Sequence, residues 1–258
     1  MQASQTISLI QNRPGGAVVI DDQVAVEEPL EIRLDGHPVA VVMRTPGYDV
    51  ELAAGFLVTE GIASSVDQLR KIEPRPEENR VLVFLADGVA VDLGRLTRHL
   101  FTGSSCGLCG KATLEAIFTD FPPIERRIEI SDAVLLAAPA KLRAAQATFE
   151  TTGGLHAAGI FSADGELLVL REDIGRHNAV DKVIGHALLN GIDLKSTLLL
   201  VSGRLSFEIM QKALAARIPA VAAISAPSSL AVEFARKSGQ TLIGFLRPPV
   251  FNRYSPTA

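Results

Sequence analysis

Cysteine appears only twice in the 258 residues, tryptophan not at all, and aromatics make up 5%. Two cysteines cannot build the disulfide framework of a small secreted scaffold. A chain of this length does not need one, because folding buries about 70–75% of its unfolded surface. No basic block rises above the interspersed charges, and the net charge is −4. Sequence-wide attraction to nucleic acid or to an anionic membrane is therefore not expected. No apolar run approaches the roughly 20 residues of a spanning helix. The stretches Ala133–Ala140 and Ile218–Ile224 are short and interrupted by Pro139 and Pro219. The opening M-Q-A-S-Q-T-I-S-L-I-Q-N-R-P-G-G has no basic region before an apolar one, so no signal peptide is expected and the expected compartment is the cytoplasm. Internal repeats and low-complexity tracts are lacking too.

Against that background the two cysteines stand out. They lie two residues apart in F-T-G-S-S-C-G-L-C-G-K, residues 101–111, as Cys106 and Cys109 among Gly103, Gly107 and Gly110. The reactive form of cysteine is the thiolate, which a helix N-terminus or a nearby cation favours. Cys109 sits at or just before a predicted helix start, with Lys111 following and Arg95, Arg98 and His99 preceding. The text describes an accessible, activated thiol pair. Its use stays open on these residues alone. A zinc site needs two further ligands from histidine or carboxylate. A thioredoxin-like dithiol has the spacing but not the setting, since that motif follows the first strand of a small βαβ domain. Two buried cysteines in the core are the plain alternative, and sulfur carriage as a persulfide is the fourth.

The pattern along the chain predicts an α/β protein in two parts, with a division near residues 122–131 giving 1–125 and 126–258. Residues 1 to 16 read as a loose end around Pro14-Gly15-Gly16. A β-rich stretch follows to Arg44, with a hairpin over Asp35-Gly36. A helix spans Tyr48 to Thr59. The strands Val81–Leu85 and Val89–Leu93 are expected to pair across Asp87-Gly88 after the polar segment 73–79. A helix over 111–120 is stopped by Phe121-Pro122-Pro123. From Ser131, a helix cap, the elements alternate: helix 132–147, strands 156–162 and 166–171 about Asp164-Gly165, helix 177–190, strand 197–201, helix 206–216, strand 220–224, helix 228–238 and strand 241–246. Short apolar strands each followed by a helix predict βαβ units and a largely parallel sheet.

Three loops of this second part fall where a strand runs into a helix. They are R-E-D-I-G-R-H-N from Arg171, V-S-G-R from Val201, and S-A-P-S-S from Ser225. Ligands of open α/β sheets bind outside the carboxyl ends of strands, and free amides at helix starts attract phosphate. Arg176 and Arg204 add forked donors, and Gly203 permits close approach. Together they predict an anion pocket, not a Walker loop, since the Gly-Lys-Ser/Thr ending is absent. The opposite reading of the first loop is a solvated, ion-paired helix start. His156 reads either as a hydrogen-bonded core residue or as a donor to the same ligand.

The segments S-S-C-G-L-C-G-K, T-G-G-L-H-A-A-G, R-E-D-I-G-R-H-N-A-V-D-K-V-I-G, V-S-G-R-L-S-F-E and S-A-P-S-S-L-A-V-E closely resemble the FdhD family, as does G-Y-D-V-E-L-A-A-G-F-L-V-T-E-G-I in the first half. The resemblance runs in order over about residues 17 to 254. It implies a sulfurtransferase accessory protein of formate dehydrogenase. Such a protein accepts sulfur from an IscS-like cysteine desulfurase as a cysteine persulfide. It passes the sulfur to the molybdenum cofactor, bis(molybdopterin guanine dinucleotide), before insertion into the apo formate dehydrogenase. Cys106 would be the carrier and Cys109 its partner. The family also implies a homodimer and a cytidine-deaminase-like three-layer C-terminal domain beside a smaller β-rich N-terminal one; no permanently bound metal is expected. Cofactor contacts are implied at the last strand and its exit, Phe245, Leu246, Arg247, Pro248, Pro249 and Val250, with Arg176 and Arg204 on the pyrophosphate. Here the chain departs from the family, which has glycines and a basic residue where Pro248-Pro249-Val250 stand; Arg253 is a candidate for the missing charge. The deaminase zinc signature is absent: Ala158 stands where H-x-E needs glutamate, and no P-C-x-x-C follows. The scaffold is thus expected without deaminase chemistry. A cofactor-binding chaperone with no sulfur chemistry is the alternative that the loops alone suggest, and a zinc-binding structural protein is a third.

Overall fold

The computed structural model describes residues 2–63, 65–89, 118, 121–125 and 128–256. Cys106, Cys109 and the expected 111–120 helix, apart from Phe118, lie outside the described residues.

The chain opens on an ordered hairpin, not a loose end. Strands β1 (Ser4–Arg13) and β2 (Gly16–Ala25) pair antiparallel over their whole length, with Pro14-Gly15 as the turn. Ile7 and Leu9 alternate with Thr6 and Ser8, and the β-branched run Val18-Val19-Ile20 lies opposite Gln11-Ile10-Leu9, composition that favours extended pairing. Next come β3 (Glu28–Leu34) and β4 (His37–Arg44), joined over Asp35-Gly36. Both turn residues have positive φ, 46° and 84°, as a tight hairpin requires.

A four-stranded sheet of order β4-β3-β6-β5 is completed by β5 (Leu69–Arg75) and β6 (Arg80–Leu85). The Val81–Leu85 strand thus pairs antiparallel with β5 and parallel with β3. Of its expected partner at 89–93 only Val89 is described. Pro74 is accommodated because β5 is an edge strand. Helix α1 (Asp49–Thr59) covers the sheet, and Leu52 and Leu57 pack with Leu30, Ile32, Val39, Val81 and Val83.

The second sheet has six strands in the order β12-β11-β10-β9-β7-β8. They are β7 (His156–Ser162), β8 (Leu167–Asp173), β9 (Thr197–Val201), β10 (Ala220–Ala223), β11 (Thr241–Arg247) and β12 (Val250–Ser255). Of its neighbouring pairs only β9–β10 and β10–β11 are parallel; β7–β8, β7–β9 and β11–β12 are antiparallel. The sheet is mixed where a largely parallel one was expected. The turns at Asp164-Gly165 and Pro248-Pro249 join hairpins, and a tight hairpin can only connect antiparallel strands.

Helices α2 (Asp132–Ala144), α3 (Ala147–Thr152), α4 (Arg176–Leu189), α5 (Phe207–Ala215) and α6 (Ser229–Ser238) complete the described elements. The single helix expected over 132–147 breaks at Gln146, whose ψ is 73°. Ser131 caps α2 by accepting from the Val134 amide at 3.3 Å. Leu135 and Leu142 of α2 pack on one face of the sheet against Leu198, Leu200 and Ala222. On the other face Val183 of α4, Met210 of α5 and Phe234 of α6 meet Leu199, Val201 and Val221. Helices on both faces of a sheet make the mixed α/β three-layer arrangement that the resemblance implied.

The two sheets are joined by helices α1 and α4. A Cβ on Gly55 would lie 1.9 Å from the Asp181 carbonyl oxygen, and one on Gly185 would lie 1.8 Å from that of Glu51. Only glycine permits that approach. Phe118 and Ile124, which precede the expected division at 125, pack into the core of the second sheet; Phe118 stacks on Phe234 at 5.2 Å.

Candidate functional site

Strand direction decides which loops share an edge. β8 runs antiparallel to β7, and β7 antiparallel to β9, so β8 runs with β9, β10 and β11. The carboxyl ends of those four strands therefore meet the amino ends of β7 and β12. His156, Arg176, Gly203, Ser225 and the Phe245–Val250 segment all lie on that edge.

The R-E-D-I-G-R-H-N motif divides into residues that build and one that is left over. Arg171 donates to Glu51 through Nε (2.6 Å) and through a terminal guanidinium nitrogen (2.8 Å), and it stacks over Tyr48 at 3.9 Å. Glu172 accepts from the Thr148 and Phe149 amides, both at 2.8 Å, and so holds the start of α3. Asp173 is fully buried and pairs with Lys182 at 2.6 Å. Asn178 donates to Asp173 and to the Met43 carbonyl. Neither a solvated loop nor an i,i+4-paired helix start describes this motif. Most of its polar groups are committed to contacts distant in sequence.

Arg176 is the exception. Its Nε is buried with no hydrogen-bond partner among the described residues, a costly arrangement for a charged donor unless a ligand supplies the acceptor. Its Cβ lies 3.9 Å from where a side chain on Gly203 would begin, and the His156 ring lies 3.3 Å from the same point. Arg176, Gly203 and His156 thus form one contact group. Arg204 is exposed on the same loop. Neither arginine forms an ion pair among the described residues.

Both histidines of this edge are held toward the neutral form. Burial, reinforced by Arg176 and Arg204, lowers the His156 pKa below its ordinary value. Burial, with Lys212 and Arg176 nearby, pushes His177 down to about 4. His177 Nε2 lies 3.3 Å from the Ser206 hydroxyl at the start of α5. The edge therefore offers guanidinium charge, neutral imidazoles and exposed loop backbone, a combination suited to a phosphorylated or otherwise anionic ligand.

Strand β11 reaches the same edge two strands beyond β9, about 10 Å away at the ordinary strand spacing. Phe245 is 37% exposed at φ 49°. The Arg247 Nε donates to the Ile224 carbonyl at 2.9 Å, and its guanidinium lies 5.9 Å from the Phe245 ring. Leu246 points the other way: it is fully buried, in the core under α2, which leaves only its main chain for a ligand. Pro248 and Pro249 form the exposed β11–β12 turn, where Arg247 pairs with Val250. Neither proline has an amide to donate. Arg253 lies on β12, 3.8 Å from Asp132.

Sequence reasoning missed a second polar cluster, beneath α1. Lys212 is 5% exposed; its ammonium reaches Glu60 at 2.6 Å, Asp181 at 3.0 Å and the Thr59 hydroxyl at 3.0 Å. Burial alone would lower the Lys212 pKa, but Asp181 and Glu60 override it and raise it. Burial likewise pushes Asp181 up to about 6. A charged residue on the apolar side of α5 was the available signal.

The model of the FdhD/NarQ family matches residues 25–258. The chain belongs to the FdhD/NarQ family. A relative named sulfur carrier protein FdhD from Streptomyces avermitilis is 49% identical over 96% of this chain and 92% of its own length. Another of that name, from Mycolicibacterium paratuberculosis, is 48% identical over 99% and 98%. A third, from Thermoplasma volcanium, is 44% identical over 93% and 90%. A crystal structure named, provisionally, as a formate dehydrogenase accessory protein from Desulfotalea psychrophila is 28% identical. It superposes with a TM-score of 0.81 over 99% of this chain and 98% of that one. The FdhD/NarQ match begins at the end of β2, so nearly all of the β1–β2 ribbon precedes it. No helix among the described residues is long and apolar enough to cross a membrane.

Proposed function

We propose that this protein is a sulfur carrier serving formate dehydrogenase. It takes sulfur from a cysteine desulfurase onto Cys106 and delivers it to the molybdenum cofactor, in its bis(molybdopterin guanine dinucleotide) form, before the cofactor enters the apo-dehydrogenase. The observation that carries this reading is the near full-length match to relatives named sulfur carrier proteins, in a chain whose only cysteines form a C-x-x-C.

In the first step the Cys106 thiolate attacks the terminal sulfur of the desulfurase persulfide. That S–S bond breaks, the desulfurase cysteine leaves as thiolate, and Cys106 holds the persulfide with no net oxidation. In the second, the Cys109 thiolate attacks the inner sulfur of Cys106. The terminal sulfur departs as sulfide with the bonding pair, and a Cys106–Cys109 disulfide remains for a cellular dithiol to reduce. The cofactor enters as substrate. Arg176, with its unpartnered Nε, and Arg204 are suited to its pyrophosphates, and Phe245 with Arg247 to its far end. This reading places the protein in the cytoplasm as a homodimer.

The test is intact-protein mass after incubation with a cysteine desulfurase and cysteine. A gain of one sulfur, lost in Cys106→Ser, is the expected result. No gain, or an equal gain when Cys106→Ser and Cys109→Ser are combined, overturns the proposal.

A further inference from the structure

Arg176 can hold a ligand only if the turn that carries it is fixed, and that turn is held by the other sheet. Asp173 ends β8 with no solvent exposure. Its Oδ1 accepts from the Gly175 amide at 2.8 Å and from Asn178 Nδ2 at 3.0 Å. Its Oδ2 accepts from the Thr45 amide at 3.2 Å and lies 2.6 Å from Lys182 Nζ. Both oxygens are thus saturated, each by two donors. Thr45 lies in the loop between β4 and α1, itself 2% exposed. Its hydroxyl accepts from the Ile174 amide at 3.1 Å, and its carbonyl accepts from Lys182 at 2.8 Å. Asn178 closes the arrangement by donating to the Met43 carbonyl at 2.7 Å. Apart from the β7–β8 pairing at Asp173 and the His177–Ser206 contact, the anchors of the 173–178 turn outside its own helix come from residues 43–45.

We propose that Asp173 and Thr45 are positioning residues of the ligand edge: they clamp the β8–α4 turn to the β4–α1 loop, so that ligand affinity at Arg176 depends on the N-terminal sheet. This rests on the reading of that edge as the cofactor site. Neither residue needs to touch the ligand. Their effect is to hold Arg176 against Gly203 and His156, so that little of the binding energy is spent ordering the turn. Linkage makes the coupling reciprocal: a ligand on Arg176 must tighten the clamp to the same extent that the clamp tightens the ligand.

The experiment measures guanosine diphosphate binding by calorimetry on the full chain, with melting temperature recorded for every variant. Thr45→Val removes only the hydroxyl that holds the Ile174 amide. It should weaken binding about three- to tenfold, the worth of one buried hydrogen bond. Thr45→Ser should restore it. Asp173→Asn keeps the shape but turns a donor toward donors, and should weaken binding further. Hydrogen exchange at the Ile174 and Gly175 amides should slow on adding guanosine diphosphate to the native chain and respond less in Thr45→Val. Arg176→Gln separates the two claims. If it leaves binding unchanged, the site reading itself fails. If Arg176→Gln weakens binding while folded Thr45→Val binds like the native chain, the site stands and the clamp is overturned. A lowered melting temperature with unchanged affinity in Thr45→Val likewise marks a merely structural contact and overturns the proposal.

Discussion

Gly55 of α1 and Gly185 of α4 bring two helix backbones into contact, each glycine facing a carbonyl of the other helix. The two sheets are fastened at this crossing, and the polar clusters on either side of it depend on its closeness. Replacing either glycine by alanine places a methyl within 2 Å of a backbone oxygen, which no rotamer can relieve. The helices must separate, at a cost of about 1–3 kcal/mol typical of overpacking, offset by the roughly 1 kcal/mol that alanine gains in helix propensity. Urea unfolding of Gly55→Ala and Gly185→Ala should give lower midpoints than the native chain. A raised midpoint would show that the crossing has room.

Asp181 and Thr59 lie one turn from Gly185 and Gly55, and the Lys212 ammonium of α5 reaches Asp181 and Glu60. Replacing Lys212 with methionine leaves the buried Asp181 carboxylate and the half-buried Glu60 without their shared counterion. Breaking such an arrangement costs about 3–5 kcal/mol. Adding Asp181→Asn should return part of the loss, because the two changes share one interaction. Denaturant midpoints of the two single variants and the double variant measure this. Simple additivity of the single effects would contradict the pairing.

Asp181 and His177 should give the protein opposing pH responses. The folded-state pKa of Asp181 is raised to about 6 from an ordinary 3.8. The native state then binds the extra proton between those values, and stability falls as pH rises through the window. His177 is depressed to about 4 from 6.5. There the unfolded state binds the extra proton, and stability is lost as pH falls from 6.5 toward 4. The His177 ring is 34% exposed, so solvent screening limits its share to on the order of 1–2 kcal/mol. Urea midpoints between pH 4 and 6.5 should therefore rise with pH in Asp181→Asn and fall with pH in His177→Gln. Parallel slopes in the two variants would show that these groups do not set the pH response.

Local chemistry was legible in the sequence, and long-range partners were not. Asp35-Gly36 announced its hairpin because a tight turn needs two residues tolerant of positive φ. The alternation of short apolar strands with helices from Leu198 onward announced the parallel β9–β10–β11 run with its connecting helices. Pro14-Gly15 and Pro248-Pro249 were harder to read, since proline beside glycine or proline marks an irregular end as readily as a turn. Here each pair joins two strands. The Arg171–Asn178 motif shows the limit most clearly. Its charges identified a loop at a strand end, but Asp173 meets Thr45 across 128 positions and Arg171 meets Glu51 across 120. Nothing local distinguishes those committed residues from Arg176, whose buried Nε has no hydrogen-bond partner among the described residues.

The β1–β2 ribbon should be dispensable for both folding and sulfur loading. Its residues 4–24 precede the family match, which begins at 25. Ile10 is 66% exposed and Val19 74%, so the ribbon buries little apolar surface of its own. Among the described residues its ties to the body include the Val26 amide on the Ala3 carbonyl at 2.9 Å, Ala25 near Gly154, and packing of β2 against α3. One hydrogen bond and a few half-exposed apolar contacts amount to about 1 kcal/mol. Deleting residues 1–24 should then shift the melting temperature by no more than about 4 °C. The deletion should also leave the desulfurase-dependent mass gain on Cys106 intact. Loss of cooperative unfolding would place the ribbon in the core. A normal melt with no mass gain would instead make the ribbon part of the surface that receives the sulfur donor.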